Sequence, residues 1–311
     1  MRILLAPLNW GLGHATRCVP LIRYLIQQGH EPVVASDGMA LAYLKAYFPT
    51  LELREAPALC LRYARGTSQV GAVLRQLPKL CWHAYKDHVW LKRILQDEHF
   101  DCVIADNRFG MWSSNTKSIY ISHQLMVKMP APFKWMEKWV HKMHKWVINH
   151  YDECLIPDWE EAPGLSGDLA HLYPLPSKAR FIGPLSRFMN ITLPEPDGTY
   201  DEVVILSGLE PQRTILERKL LNDYATSARK VLMLEGRPNQ SPLFSSTKNV
   251  HIYAHMPDEQ LLPFLMGAKR IICRSGYSSI MDLAVLGLMD KACLIPTPGQ
   301  TEQEYLATLH A

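Results

Sequence analysis

The segment Gly11-Leu12-Gly13-His14 places two glycines and a histidine between a short apolar run at residues 3–6 and the periodic residues Val19, Leu21, Ile22, Leu25 and Ile26. Glycines at a strand-to-helix turn let a ligand approach the backbone, and the unpaired N–H groups of a helix start attract an anion. A histidine at that start is disfavoured as a cation by the helix dipole, which keeps it neutral and basic and suits His14 to general-base work. The plainer reading is a histidine that caps its own helix. The spacing is not GxGxxG, and Asp37 is a poor match to the ribose acid of a dinucleotide fold. A nicotinamide-dependent dehydrogenase is therefore only a fallback.

Cys273-Arg274-Ser275-Gly276-Tyr277-Ser278-Ser279 ends an apolar run in a hydroxyl-rich turn that opens a helix, with Asp282 on its first turns. Amides and hydroxyls at such a start hold a diphosphate, and a carboxylate one turn on can accept hydrogen bonds from ribose hydroxyls. The plainer reading is a serine cap with an acidic first turn. Pro296-Thr297-Pro298-Gly299-Gln300-Thr301-Glu302-Gln303-Glu304 is a second rigid turn opening a helix, and Thr301 with Glu304 fits a capping box. Asp106, Arg108 and His123 also follow apolar runs. Asp106 can orient a histidine or an acceptor hydroxyl, Arg108 can attract an acidic acceptor, and His123 would face the same cleft. The alternative is an ordinary cap and a satisfied loop histidine.

Positioning these residues requires a particular scaffold. Apolar runs at 3–5, 33–35, 51–53, 102–105, 119–122 and 154–156 alternate with helical patterns, including a long one at 68–97 broken at Pro78 and one at 133–149. Gly183-Pro184 and the proline-rich stretch to Gly198 interrupt the pattern. It then restarts with strands at 203–206, 231–234, 250–252, 270–273 and 292–295 and helices near 213–228, 258–266, 278–287 and 302–310. This alternation predicts an α/β chain with two Rossmann-like halves and parallel sheets covered on both faces, at 1–185 and 201–311 with a linker at 186–200. Ligands in such sheets bind beyond the carboxyl ends of the strands, where all the residues above fall.

The 311 residues suit two domains, and a net charge of +3 argues against a dedicated nucleic-acid binder. The seven cysteines show no metal-ligand spacing, and the odd, scattered set suggests reduced thiols, hence a cytoplasmic protein. At 133–149, Trp135, Trp139, Val140, Met143, Trp146 and Val147 share a stripe, with Lys134, Lys138, His141, Lys142 and Lys145 on the other side. Such a helix can lie on an anionic membrane, at the inner surface of the cell, or pack on a core with a solvated basic face.

The run CRSGYSSIMDLAVLGLMDKACLIPTPGQTEQEY resembles the nucleotide-sugar site of GT-B glycosyltransferases, in particular the family 28 group that contains the peptidoglycan N-acetylglucosaminyltransferase. The resemblance is specific over 270–305 and looser over the first 180 residues. It implies a fold of two Rossmann-like domains facing across a cleft. In that group an acidic residue after the R-S-G turn holds the ribose, the place of Asp282, although the relatives carry Glu. Gln303 and Glu304 match the donor-sugar segment. Ser207, Gly208 and Arg213 match the loop facing the phosphates, and His255-Met256-Pro257 the segment that holds the base. Gly13-His14 matches the end of the glycine-rich loop, although the fuller glycine run is missing. The relatives also continue past the position of Ala311, which suggests a short chain.

The resemblance implies a reaction that moves a sugar, UDP-linked as in that group, to a glycan or lipid-linked acceptor hydroxyl with inversion. His14 and Asp106 are the catalytic candidates, and Arg108 and His123 lie on the acceptor side. Gly11, Gly13, Ser207, Gly208, Arg213, Met256, Arg274, Ser275, Gly276, Ser278, Ser279, Asp282, Gln303 and Glu304 would serve the donor. No metal or other cofactor is expected, since amides, hydroxyls and Arg213 take the place of a cation. A UDP-sugar 2-epimerase and a non-catalytic nucleotide-sugar-binding protein are the alternatives within this fold.

Overall fold

The computed structural model describes residues 1–59, 70–208, 210–238 and 240–311. The first half runs β1(Arg2–Pro7), α1(Gly13–Gln27), β2(Glu31–Ser36), α2(Gly38–Tyr47), β3(Glu52–Glu55), α3(Val70–Asp97), β4(Cys102–Asp106), β5(Lys117–Ile121), α4(Glu137–Ile148), β6(Glu153–Ile156), α5(Asp168–His171) and β7(Ala179–Phe181). Its strands form one parallel sheet in the order β3-β2-β1-β4-β5-β6-β7. The second half runs β8(Glu202–Ile205), α6(Gln212–Tyr224), β9(Val231–Leu234), β10(Val250–Tyr253), α7(Asp258–Gly267), β11(Arg270–Arg274), α8(Tyr277–Val285), β12(Ala292–Ile295) and α9(Thr301–Leu309), with a parallel sheet ordered β10-β9-β8-β11-β12.

The central strands carry unbroken apolar runs, as at 3–6, 103–105 and 231–234, because both faces of the sheet are covered there, whereas the edge strand β3 (ELRE) is polar and only partly buried. Along β1, Leu4 and Ala6 join one core while Ile3 and Leu5 join the opposite one, and Val203 and Val204 divide in the same way in the second half. Each sheet reverses its strand order beside its first strand, between β1 and β4 and between β8 and β11. Those two switch points are where crevices open at the strand carboxyl ends. A further apolar cluster joins the halves: Met126, Leu165 and Leu169 of the first pack with Tyr277, Ile280, Met281 and Leu306 of the second. This interface fixes which loops meet.

Several elements differ from the sequence expectation. The helix α3 continues through Pro78 without a break, so the missing N–H costs one bond without ending the helix; residues 68 and 69 of the expected helix lie outside the described residues. The 133–149 segment divides into a 3₁₀ turn over Ala131–Met136 and α4. The three-residue strand β7 and the single-turn α5 do not follow from the sequence pattern, because neither is long enough to show a period. No helix or strand occurs between Phe181 and Glu202, yet this connection is not loose, since Ser186 and Phe188 are buried.

Candidate functional site at the facing strand ends

The first half brings its charged candidates together at the β1/β4 switch point. Pro7 pairs with Asp106 across the sheet, which sets the end of β4 beside the turn that opens α1. On α1, Ala15, Cys18, Val19, Ile22 and Leu25 are buried. His14 and Arg17, one turn apart on this helix, lie above the strand ends. His14 does not cap its own helix. Its Nδ1 lies 3.0 Å from Asp106 Oδ1. Arg17 donates from Nε to Asp106 Oδ2 at 2.6 Å and from Nη2 to Asp106 Oδ1, the fork arrangement that suits a guanidinium and a carboxylate. Arg17 Nη2 is also 2.8 Å from His14 Nδ1.

Asp106 is fully buried. Burial would raise its pKa, but Arg17 and His14 overcome that and hold the carboxyl well below the usual carboxylate range. His14 is pushed the other way from a simple histidine–aspartate pair. Burial and the Arg17 cation lower its pKa, against the pull of Asp106. A neutral, oriented imidazole beside an ionised carboxylate is the arrangement of a general base. About an eighth of the His14 side chain, 12%, stays accessible while that of Asp106 is wholly enclosed.

His123, expected on the acceptor side, has neither ring nitrogen free. Its Nδ1 is 3.0 Å from Arg17 Nη1, its Nε2 is 2.9 Å from Glu302 Oε1, and its ring stacks on Tyr277 with centroids 4.0 Å apart. It is a bridge between the halves because β5 ends opposite α8 and α9. Nothing in the sequence distinguishes Glu302, where it is one polar residue among three; only the cross-cleft contact does. Burial would raise the Glu302 carboxyl, but hydrogen bonding to His123 brings it below its ordinary value.

Arg108 also departs from its expected role. It is fully buried, forks onto Asp87 of α3 at 2.8 and 3.2 Å, and donates to the Pro57 carbonyl at 2.5 Å. Its charge ties the long helix to the sheet, so it is not presented to an acidic acceptor. His83, 3.3 Å from Asp87, completes this cluster.

The second half meets this wall with the N-terminus of α8. Gly276 adopts an extended conformation and begins the helix, whose earliest N–H groups, those of Tyr277 and Ser278, have no intrahelical acceptor. A side chain added at Gly276 would meet nothing within 4 Å. Ser278 Oγ donates 2.9 Å across the interface to the Gly13 carbonyl, and a Cβ on Gly13 would come within 2.9 Å of that hydroxyl. Gly13 is thus required by the close approach of the two halves. Gly11 and Gly208 have φ of +78° and +98° with open space around them, a conformation that favours glycine. Ser207 is half-buried beside Gly208, and Ser279 lies on the first turn of α8, its N–H bonded to the Gly276 carbonyl.

Other donor candidates are turned inward. Arg213, expected to face phosphates, is buried and paired with Glu210 at 2.6 Å and Glu217 at 3.0 Å, and burial pushes the Glu217 carboxyl up. Arg274 is buried among backbone carbonyls, donating to Pro296 and Gln212 at 2.9 and 2.8 Å. With no carboxylate among these partners, burial lowers its pKa to about 10. Ser275 Oγ donates to the Gln303 carbonyl at 2.8 Å, and Met256 fills the second core. The Gln303 side chain accepts from the Thr297 N–H, and Glu304 from the Gly299 N–H at 2.7 Å. The N-cap of α9 is Gln300, so the expected Thr301–Glu304 box is replaced by carboxylate bonding within the turn.

Asp282, the expected ribose acid, already has both oxygens bound. Oδ1 accepts from Ser186 Oγ at 2.7 Å and Oδ2 from Arg187 Nε at 3.1 Å, while Arg187 also pairs with Asp258 of α7 at 3.0 Å. Tyr47 of α2 donates to the same Asp258 at 2.9 Å. Burial pushes Asp282 up despite Arg187. A ribose hydroxyl at Asp282 must therefore share the carboxylate with the connecting segment.

Among the described residues no group of three or more His, Cys, Asp or Glu side chains converges to hold a metal ion. None of the described helices is long and apolar enough to cross a membrane.

No protein-family profile matches the chain. An uncharacterized glycosyltransferase of Methanosarcina acetivorans is 24% identical over 98% of this chain and 82% of its own length. Among solved structures, the spinosyn rhamnosyltransferase SpnG complexed with thymidine diphosphate superposes with a TM-score of 0.63 at 16% identity, covering 99% of this chain and 84% of that one. The glycosyltransferase SnogD from Streptomyces nogalater gives 0.59 at 16% identity over the same shares. At these identities the likeness establishes the fold: two parallel α/β sheets arranged as in GT-B glycosyltransferases.

Proposed function

We propose that a chain with this fold, carrying a histidine–aspartate pair at the strand ends of one half and an open helix start at those of the other, is a glycosyltransferase. It transfers a sugar from a nucleoside-diphosphate sugar to an acceptor hydroxyl, with the inverting geometry and the donor site of the family 28 group. The observation that carries the reading is the His14–Asp106 contact lying within reach of the α8 N-terminus through the Gly13–Ser278 bridge.

In this mechanism His14 uses its remaining ring nitrogen, Nε2, to take the proton of the acceptor hydroxyl. The acceptor oxygen bonds to the anomeric carbon as the bond from that carbon to the diphosphate oxygen breaks. The nucleoside diphosphate departs with the electron pair, and first-turn amides of α8, with the nearby hydroxyls, stabilise its charge. Asp106 stays ionised and holds the imidazolium that forms, as the orienting acid does in other histidine bases. Arg274 contributes a cation with no carboxylate partner behind the same turn. The proposed donor nucleoside is uridine by resemblance, and the likeness to a thymidine-diphosphate complex makes thymidine the nucleoside to compare.

A lipid-linked acceptor at the cytoplasmic membrane face is supported by α4 and the 3₁₀ turn before it. Trp135, Trp139 and Trp146 are 69, 66 and 64% exposed, beside exposed Lys134, Lys138, Lys142 and Lys145. The buried side of α4 is instead formed by His144 and Ile148. Tryptophans and lysines on one outward face fit an anionic bilayer, where each lysine contributes about 1 kcal/mol. The aromatic surface continues through Trp146, His150, Trp112 and His88 to α3, where exposed Trp82 and Tyr85 stack.

The test is release of nucleoside diphosphate from UDP- and TDP-sugars, with and without lipid or glycan extracts. Acceptor-dependent release that disappears in His14→Ala supports the transferase. Interconversion of free donor without acceptor would instead favour an epimerase, and binding without turnover a non-catalytic protein.

A further inference from the structure

Between the proposed base and the donor-side helix α9 runs an unbroken chain of polar contacts: His14, Asp106, Arg17, His123 and Glu302. Glu302 belongs to the second half, so the chain is complete only while the halves are seated together. We propose that Glu302 and His123 are positioning residues that, through Arg17, hold the ring proton of His14 on Nδ1, facing Asp106.

The argument rests on donor and acceptor types. A guanidinium can only donate. The His123 nitrogen 3.0 Å from Arg17 Nη1 must therefore offer its lone pair, which puts the His123 proton on Nε2, where it is donated to Glu302 at 2.9 Å. Glu302 thus fixes the tautomer of His123, and stacking on Tyr277 fixes the ring plane. Arg17 is then held at three nitrogens, by two oxygens of Asp106 and by His123.

At the other end the contacts conflict. His14 Nδ1 is 3.0 Å from an oxygen of Asp106, which requires a proton on Nδ1, and 2.8 Å from Arg17 Nη2, which requires a lone pair there. Only the first arrangement leaves Nε2 unprotonated and able to act as the base. With Nη1 engaged by His123, Arg17 stays on Asp106 and His14 keeps its Nδ1 proton. When Glu302 withdraws, His123 is free to change tautomer and present an N–H to Arg17. The guanidinium is then released toward His14, moving the ring proton to Nε2 and disabling the base. The charged and titratable groups facing this cluster are Cys18 behind Asp106, Tyr120 near Arg17 and Tyr277 from α8. The consequence for catalysis rests on the reading of His14 as the acceptor base, but the tautomer itself does not.

The experiment is a long-range proton–nitrogen NMR spectrum of the histidine-labelled full chain, with His14→Ala to assign the His14 signals. The wild type should show His14 protonated at Nδ1. In Glu302→Gln and His123→Asn the signal should move to the Nε2-protonated form, and its titration midpoint should fall, because both the lost anion and the approaching guanidinium disfavour the imidazolium. A double variant should show no more than either single one. An unchanged His14 tautomer in both folded single variants overturns the proposal. A dead His14→Ala with unchanged tautomers would leave the transferase reading intact while removing this one. Variants that raise only the donor KM would assign Glu302 to donor contact and remove it as well.

Discussion

The two strand-end crevices of this molecule are built from different materials. In the first half, side chains carry the charge: Asp106, Arg17 and His14 are packed at the switch point and neutralise one another. In the second, the backbone and hydroxyls dominate at the α8 start, and the cations are turned away, Arg213 onto Glu210 and Glu217 and Arg274 onto carbonyls. A proton transfer needs one group of tuned basicity held in place, whereas a diphosphate needs several donors that do not reorganise. Under the proposed function, this contrast would give proton handling to one half and anion reception to the other.

Removing the base should have the largest effect. His14→Ala should lower turnover by about 10²–10⁴-fold with donor affinity within about twofold, since the proposed donor site is on the other wall; turnover by released diphosphate and affinity by calorimetry check both. A comparable loss of donor affinity would erase the division between the halves. Next is the clasp behind the donor crevice. Asp282→Ala leaves Arg187 with Asp258 alone and should destabilise the fold by about 1–3 kcal/mol, read from the denaturant midpoint. If stability holds and only donor affinity falls, Asp282 is a ribose contact and not a clasp.

The electrostatics predict pH behaviour with a definite sign. To act as the proposed base His14 must be neutral, and its pKa lies below the ordinary 6.5 through burial and Arg17. Turnover should therefore persist through mildly acidic pH and be lost only as pH falls through that depressed value, which a kcat–pH profile measures. Asp106 is depressed as well. Its stabilising contribution is complete above the unfolded carboxylate pKa of about 3.9 and lost as pH falls toward the folded value.

Smaller effects should come from the surfaces where the halves meet and where they end. Gly13→Ala crowds Ser278 Oγ and should cost about 1 kcal/mol or more, part of which Ser278→Ala restores in a double-mutant cycle. Additive costs would show that Gly13 and Ser278 do not touch in solution. Trp139→Ser, on the outward face of α4, should change stability by no more than about 0.5 kcal/mol while weakening co-sedimentation with anionic vesicles. A large loss of stability would place that tryptophan in a core.

Much of this molecule follows from local pattern. Runs such as Ile3 to Ala6 and Val203 to Leu206 are apolar without alternation because both sheet faces are covered, so strand positions and the parallel class could be read directly. Strand-end placement then singled out His14, Asp106 and Ser278. Pattern failed where length or partners decide. The three residues of β7 show no period, and α3 passes through Pro78. The tryptophans of α4 resemble a core stripe in sequence yet face outward, because His144 and Ile148 fill the buried side.

The residues themselves determined the fold class, the ends of the strands and the chemical repertoire available there, since period and side-chain type are local properties. Tertiary structure alone decided which groups are spent and which are open. Whether Arg108 meets an acceptor or Asp87, whether Asp282 meets a ribose or Arg187, and whether Glu302 is one polar residue among three or the far end of the His14 chain depend on partners 21 to 179 residues away. A charge acts through what it touches, and contacts at that separation exist only once both sheets are packed.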